Sequence, residues 1–265
     1  MDDMRNVRGP AGLTGPGDWW RALAELVLPG ECAGCGAPRS TLCERCRRAL
    51  ARGSPRPVRP RGAPGGLPPV WAAVPYADAV RSVLLAHKER GALPLAAPLG
   101  EALAVAVRAA LREGRVPPDG PDPPDGQAAG DGPVVLVPVP SARRAVRVRG
   151  HDPARRIALA AAGVLRRSGT PARTAAVLRQ RRAVADQAGL DAAGRLANLD
   201  GALELRPGGE ALLAAAGRLL VVDDVTTTGA SVAEAARVLR STAERKGTCV
   251  PFAAAVVAAS PLFFD

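Results

Sequence analysis

Aromatic side chains are scarce in this chain of 265 residues, which contains three Trp, one Tyr and three Phe. None of these seven residues lies in the arginine-rich stretch between Arg143 and Arg195. Proteins that hold single-stranded nucleic acid by base stacking place aromatic rings among their basic residues. The sequence therefore disfavours stacking as a means of binding, although contacts between arginine and phosphate remain open.

Long apolar runs are also absent. No stretch reaches the roughly 18 apolar residues, uninterrupted by charge, that a membrane-spanning helix needs. The amino end has acidic residues beside Met1 and lacks an apolar core of signal-peptide length. We therefore expect a cytosolic protein with no membrane insertion. The chain also contains no Gly-x4-Gly-Lys-Ser/Thr pattern, so a P-loop nucleotide site fits it poorly.

The positive charge is concentrated in one stretch. The whole chain has a net charge of +11, and nearly all of its basic residues are arginine. Between Arg143 and Arg195 there are 13 arginines against three acidic residues, a net charge of +10. A positive field of this density suits a polyanion, either a pyrophosphate group or a nucleic-acid backbone.

Four of the five cysteines form two Cys-x2-Cys pairs separated by seven residues: Cys32, Cys35, Cys43 and Cys46. Four thiolates at this spacing predict a closed tetrahedral zinc site. Because a closed site leaves no position for substrate or water, we expect the zinc to be structural. Disulfides and an iron–sulfur cluster are the alternatives. Cys249 lies outside this set in an apolar segment and is interpreted as a small buried hydrophobe.

Changes in composition divide the chain into segments. Residues 1–18 are predicted to be a disordered N-terminus, and residues 19–50 an amphipathic helix followed by the zinc ribbon. A Pro/Gly/Arg-rich linker is expected at 51–69. Residues 70–265 alternate strand and helix patterns, which predicts one α/β domain. Its Pro/Asp/Gly-rich stretch 116–133 is expected to be a disordered insertion.

The most informative motif spans residues 219–231. An apolar run predicts a buried strand ending at Asp223 and Asp224, and a Thr-rich turn with Gly229 then opens a helix near Ala230. Carboxylates at a strand end can accept hydrogen bonds from a ribose diol. Small residues, hydroxyls and free helix amides can hold a phosphate. An acidic strand end capped by threonines, with no ligand, is the alternative.

The arginine-rich stretch begins just after another predicted strand. Val-Val-Leu-Val-Pro-Val-Pro begins at Val134, and the basic loop after it contains Arg143 and Arg144. These planar donors could hold a pyrophosphate, although solvated arginines explain each of them individually almost as well. A helix is predicted from about Pro153 to Arg167. The polar stretch 183–201 is interpreted either as a lid over a ligand or as an exposed loop with a short helix.

The segment 219–231 is similar to the phosphoribosyl pyrophosphate (PRPP) motif of type I phosphoribosyltransferases. From Trp20 onward the chain resembles the ComF family of phosphoribosyltransferase-like proteins, which have an N-terminal zinc ribbon with two Cys-x2-Cys pairs. The residues that carry this resemblance, besides the four cysteines, are Pro29, Lys88, Gly91, Val-Pro-Val-Pro, Arg149-Gly150, Gln187, Arg195, Asn198 and Asp223 to Ser231. The chain departs from the family at Asp152-Pro153 and in the long 116–133 insertion.

The resemblance implies a parallel sheet of the type I phosphoribosyltransferase kind, flanked by helices, that binds PRPP with Mg²⁺. Asp223 and Asp224 would then bind the ribose diol, Arg143 and Arg144 the pyrophosphate, and Gln187 and Arg195 would belong to the lid. The 5′-phosphate would be bound by Thr226, Thr227, Thr228, Gly229, Ala230 and Ser231.

Two functions follow from the resemblance. The first is transfer of phosphoribose to a nitrogenous acceptor with release of pyrophosphate. The second is an accessory role in competence and DNA uptake, in which the protein contacts single-stranded DNA or a helicase. The acceptor and the oligomeric state, including a homodimer, are left open.

Overall fold

The structure is a computed structural model that describes residues 30–113, 132–182, 192–246 and 251–264. These residues form a mixed α/β fold in which helices flank a six-stranded, largely parallel sheet. A cluster of four cysteines lies near the amino end. The predicted α/β class with a parallel sheet is therefore confirmed.

The main sheet has the strand order β1-β2-β8-β7-β3-β4. Every neighbouring pair is parallel except β1 and β2, which are antiparallel. A separate antiparallel pair is formed by β5 and β6. The strands are β1 (Arg56–Val58), β2 (Val70–Pro75), β3 (Val134–Pro138), β4 (Ala172–Thr174), β5 (Leu178–Gln180), β6 (Leu203–Leu205), β7 (Arg218–Thr226) and β8 (Pro251–Ala259).

Helices cover both faces of the sheet. The helices are α1 (Glu44–Ala51), α2 (Asp78–Glu89), α3 (Ala96–Glu113), α4 (Arg143–Arg149), α5 (Pro153–Arg167), α6 (Ala192–Leu199), α7 (Gly209–Ala214) and α8 (Ala230–Lys246), with 3-10 turns at Leu93–Leu95 and Pro261–Phe263. One buried cluster joins α2, α3 and α5 to Leu220 and Val222 of β7. A second joins α7 and α8 to Leu219 and Val221. Because successive strand residues face opposite sides, β7 is apolar throughout this run.

The strand order creates a crevice between β3 and β7. From β3 the chain passes through α4 and α5 to β4 on one side, whereas from β7 it passes through α8 to β8 on the other side. Two adjacent parallel strands whose connections leave in opposite directions form a topological switch point. Open α/β sheets bind ligands in the crevice outside the carboxyl ends of such strands.

Most of the predicted elements within the described residues are present. The helix predicted from Pro153 to Arg167 has these bounds in the structure, and the helix after the glycine turn begins at Ala230. The stretch from Arg143 to Arg149, expected to be a loop, is the short helix α4, which ends at Gly150 with a φ of 75°. Alanine and arginine favour helix, and glycine adopts this left-handed conformation at little cost.

One expected segment has more structure than its composition suggests, and several others lie outside the described residues. The predicted linker 51–69 contributes strand β1, which pairs with β2 and so joins the sheet. The predicted disordered N-terminus, the helix predicted before the cysteines and Cys249 lie outside the described residues. Nearly all of the predicted insertion 116–133 does so too.

Helix α3 and the turn before it, Leu93–Glu113, are long and apolar enough to cross a membrane by length and composition, with a mean hydropathy of 1.4. However, 61% of this span is buried inside the fold. Leu99, Leu103 and Val107 belong to the core beneath the sheet. The helix therefore packs as part of the core.

Helices α3 and α5 approach each other closely at Gly100. A Cβ added there would lie 2.4 Å from the Cβ of Ala160 and 2.8 Å from the amide nitrogen of Ala161. At Gly163, on α5, the nearest atom to an added Cβ is the flexible Arg167 Nη1 at 3.4 Å. The two helical glycines therefore differ in how much space a methyl group would have.

We expect Gly100→Ala to lower the free energy of unfolding by about 1–3 kcal/mol, because the methyl group would force the helices apart. The matched change Gly163→Ala should raise it by about 0.5–1 kcal/mol, because alanine is the better helix former. Urea unfolding of both variants checks the pair. Equal stability of the two variants would contradict the packing of α3 against α5.

Candidate functional site

The acid pair lies in β7, close to the end of the strand. Asp223 is opposite Val256 of β8, and pairing continues to Thr226, so the strand extends past both acids. Asp224 is buried, with 5% of its surface exposed, whereas Asp223 is partly exposed. The acids therefore lie at the carboxyl edge of the sheet, where the sequence predicts them.

Local hydrogen bonds orient each carboxylate. Asp223 Oδ1 accepts from the amide of Asp224 at 2.8 Å, and Asp224 Oδ1 accepts from the amide of Val225 at 2.8 Å. The second oxygen of Asp224 pairs with Lys88 Nζ at 2.9 Å. The carboxyl groups of Asp223 and Asp224 also lie close enough to interact with each other. Each acid thus has one oxygen held by the backbone and one directed elsewhere.

Lys88 separates the pKa values of the two acids. Burial, reinforced by the negative charge of Asp224, raises the pKa of Asp223 well above its usual range. Burial by itself would also raise the pKa of Asp224, but the ammonium group of Lys88 outweighs it and holds that pKa below its usual value. The negative charge of Asp224 in turn raises the pKa of Lys88. Asp224 is therefore the acid that stays ionised most readily.

The turn after the acid pair leads directly into α8. Gly229 has a φ of 77°, which glycine adopts at little cost. A Cβ there would lie 2.9 Å from Cδ2 of Leu67. Thr228 Oγ1 accepts from the amide of Ala230 at 3.4 Å, so one helix amide is capped by a threonine. No group of the described residues accepts from the amides of Ser231 and Val232, which leaves donors for an anion at the helix start.

The basic segment after β3 begins at the same edge of the sheet as this turn. The amide of Val139 donates to the carbonyl of Val222 at 2.9 Å, which continues the pairing of β3 with β7. Arg143 and Arg144 follow at the start of α4, and both are exposed. They form no hydrogen bond or ion pair with any described residue. The fold therefore brings both predicted anion-binding segments to the same edge of the sheet.

The departure at Asp152-Pro153 has a structural role. Asp152 Oδ1 accepts from the amide of Arg155 at 3.1 Å, and Pro153 occupies the first turn of α5, so the two residues start this helix. Asp152 Oδ2 accepts from the amide of Ser141 at 3.1 Å. The same aspartate therefore fixes the loop that leads to Arg143.

The segment predicted as a lid is described only in part. Gln187 lies outside the described residues, and Arg195 lies in α6 without a described side chain. Their assignments therefore stay predictions. The end of α6 is held in place, because Leu199 and Ala202 pack against Ala230. The amide of Leu203 donates to the buried Glu234 of α8 at 3.1 Å, so the chain enters β6 beside α8.

The sequence analysis missed a group of residues around the end of α2. His87 and His151 are both buried, and their ring centroids lie 5.4 Å apart. Lys88 carried part of the family resemblance but was assigned no role. The chain has two histidines in all, and their rarity was a signal that could have drawn attention to this place.

The four cysteines are positioned to bind a metal ion. All four Sγ atoms lie within 4.8 Å of one another, and those of Cys35 and Cys43 are 3.6 Å apart. A tetrahedral ion with bonds of about 2.3 Å requires sulfurs about 3.8 Å apart, which is consistent with structural zinc. None of the four forms a disulfide.

The backbone around Cys32 favours its thiolate form. Burial alone would raise the pKa of Cys32, but backbone amides, including that of Cys43 at 3.3 Å, donate to its sulfur and bring the pKa to about 6. Burial and the neighbouring thiols raise the pKa of Cys46. A Cβ at Gly34 would lie 2.7 Å from Cys46 Sγ, so the loop of the first Cys-x2-Cys pair requires glycine there. A bound cation would offset the electrostatic repulsion between four thiolates this close together.

Comparison with known proteins adds no assignment: no protein-family model matches the chain, and neither does any curated protein.

We expect Lys88→Met to lower the free energy of unfolding at pH 7 by about 1–2 kcal/mol. Removing Lys88 leaves Asp224 as a buried charge without its partner, and the partial exposure of Lys88, 38%, reduces the cost. An acid with a lowered native pKa contributes stability above its unfolded pKa of about 4 and loses it as the pH falls through the native pKa.

The difference between Lys88→Met and wild type should therefore shrink as the pH falls below about 4. Urea unfolding at pH 7 and pH 3 measures this trend, and Lys246→Met, at the exposed end of α8, is the control. A loss of stability independent of pH would contradict the role given to the ion pair.

Proposed function

We propose that this protein is a phosphoribosyltransferase-like protein of the ComF type that binds PRPP together with Mg²⁺. The observation that carries the proposal is the position of the acid pair. Asp223 and Asp224 lie at the switch point of a parallel sheet and are followed at once by a glycine turn with unpaired helix amides. A ligand with a vicinal diol and a phosphate matches these donors and acceptors.

Each group has a role in this proposal. Asp223 Oδ2 and Asp224 Oδ2 accept hydrogen bonds from the two ribose hydroxyls. The turn from Thr226 to Ser231 and the first amides of α8 bind the 5′-phosphate. Arg143 and Arg144 bind the pyrophosphate with planar donors. Mg²⁺ bound with the ligand would neutralise part of its negative charge.

The reaction supported best is transfer of phosphoribose. The bond between C1′ and the pyrophosphate oxygen breaks, a bond from C1′ to a nitrogen of the acceptor forms, and the electron pair leaves with pyrophosphate. The sugar passes through an oxocarbenium-like state, and the arginines at the crevice stabilise the charge that grows on the leaving group. Gln187 and Arg195 are the proposed lid residues that exclude water.

A second candidate function is supported by the surface of α4 and the start of α5. Helix α4 has no buried residue, and Val148 is 81% exposed. Five arginines of α4 and the first turn of α5 are exposed: Arg143, Arg144, Arg147, Arg155 and Arg156. Such a surface suits a phosphate backbone, as an accessory protein in competence and DNA uptake would need when it contacts single-stranded DNA or a helicase partner.

We expect isothermal titration with PRPP and Mg²⁺ to show binding to the wild type. Asp224→Asn and Asp223→Asn should weaken it by at least tenfold, because each replaces a carboxyl oxygen that accepts from a hydroxyl with an amide group, and Asp224→Asn also removes a negative charge. Glu244→Gln, an exposed acid of α8, is the matched control and should bind normally. Equal affinity of all four proteins would contradict the proposed site.

Pyrophosphate release with candidate bases then separates the two functions. Turnover supports the transferase, whereas binding without turnover supports the accessory role. In the second case, fluorescence anisotropy with single-stranded DNA should show binding that weakens steeply between 50 and 200 mM salt, as contacts to phosphate do.

We also propose that the ion at the cysteine cluster is zinc. Four sulfur ligands and no remaining open position are typical of structural zinc. Free thiols fit a reducing cytosol, which is the proposed location of the protein.

We expect the purified protein to contain one zinc ion per chain, and Cys46→Ser to lose it and to unfold at lower temperature, because metal binding contributes to folding. Elemental analysis and thermal unfolding measure the two effects. Cys249→Ser lies outside the cluster and should retain the metal. Full zinc content in Cys46→Ser would contradict the assignment.

A further inference from the structure

Lysine and histidine are rare in this chain and meet at one place. The sequence contains 34 arginines but only two lysines and two histidines. Lys88, His87 and His151 lie together at the end of α2. Because arginine is the ordinary basic residue of this composition, a lysine at the acid pair is a departure that calls for a chemical reason.

The end of α2 is fastened to the segment that joins α4 to α5. His151 Nε2 lies 3.1 Å from the carbonyl oxygen of His87, and Arg149 Nε lies 3.0 Å from Glu89 Oε2. His151 Nδ1 lies 3.1 Å from the carbonyl oxygen of Arg149. His87 and Glu89, which make two of these contacts, are the residues on either side of Lys88 in α2. They therefore hold Lys88 between the acid pair and the basic segment that follows β3.

The side chain of Lys88 reaches the acid pair without being enclosed by it. Its Nζ lies 2.9 Å from Asp224 Oδ2, yet 38% of the side chain is exposed. The positive charge of Arg149 is near enough to act against that of Lys88 and partly offset the rise in its pKa. The ammonium group thus lies between the negative charge of the acid pair and the positive charge of the neighbouring arginine.

Binding of a ribose would bring a second donor to one oxygen of Asp224. Asp224 Oδ1 is already engaged by the amide of Val225, so Oδ2 is the oxygen that a hydroxyl would use. Lys88 already donates to that oxygen, and a second donor there would weaken this pairing. When the hydroxyl donates to Asp224, the ammonium group is freed from part of its pairing. A compact charge on a flexible four-carbon chain can then turn to another anion, whereas a planar guanidinium is less free to do so.

We propose that Lys88 is a ligand-binding residue that moves from Asp224 to the pyrophosphate oxygens when the ribose hydroxyls bind the acid pair. The inference rests on the proposed function, because it takes PRPP as the ligand. Lys88 keeps Asp224 ionised and paired in the free protein, and it supplies positive charge to the leaving group in the complex. The histidine pair positions the end of α2 so that Lys88 reaches both groups.

The test compares PRPP with ribose 5-phosphate, which has the diol and the 5′-phosphate but no pyrophosphate. Isothermal titrations with Mg²⁺ use the wild type, Lys88→Met, Lys88→Arg and the control Lys246→Met. We expect Lys88→Met to bind PRPP about 10- to 100-fold more weakly, as the loss of a charge-assisted contact predicts. Its affinity for ribose 5-phosphate should change much less, because that ligand has no pyrophosphate for Lys88 to bind.

Lys88→Arg keeps the charge and tests the geometry, since we expect it to recover only part of the PRPP affinity. An equal loss for both ligands in Lys88→Met would overturn the inference, because Lys88 would then act only by orienting Asp224. Unchanged affinity for PRPP would overturn it too. If the wild type binds neither ligand, the proposed function fails and the inference fails with it, whereas a loss confined to PRPP supports both.

Discussion

Burial of β7 on both faces is the constraint from which the site follows. Leu219 to Val222 are fully enclosed between two layers of helices, so this run can lie only in the middle of the sheet. A central strand must end at an edge where the chain turns outward, and the acids come at that point. The apolar packing therefore places charged groups that could not be buried in isolation, and Lys88 compensates for their partial burial.

The local parts of this arrangement could be predicted from the sequence. The apolar run of β7, the glycine turn and the start of α8 at Ala230 all follow from patterns within a few residues. The start of α5 at Asp152-Pro153 is local in the same way. The cysteine spacing predicted a metal cluster, and the four sulfurs are gathered as that spacing requires.

The remaining parts depend on contacts between distant segments. The order of the strands places β8 between β2 and β7, and no short pattern encodes such parallel pairing. Lys88 lies on α2 and meets Asp224 only after the sheet has formed, so its role was invisible in the sequence around either residue. Strand β1 was hidden by its composition, because Arg56–Val58 lies within a Pro/Gly/Arg-rich stretch typical of linkers.

The two outer strands of the sheet, β1 and β4, have three residues each. Pro57 in β1 has no amide proton, so it cannot donate to a further strand on the open side. Exposed strand edges are the places where chains join one another into aggregates. Both edge strands are very short, and one of them contains a proline. The sheet therefore offers little template for such growth at either edge, which favours solubility.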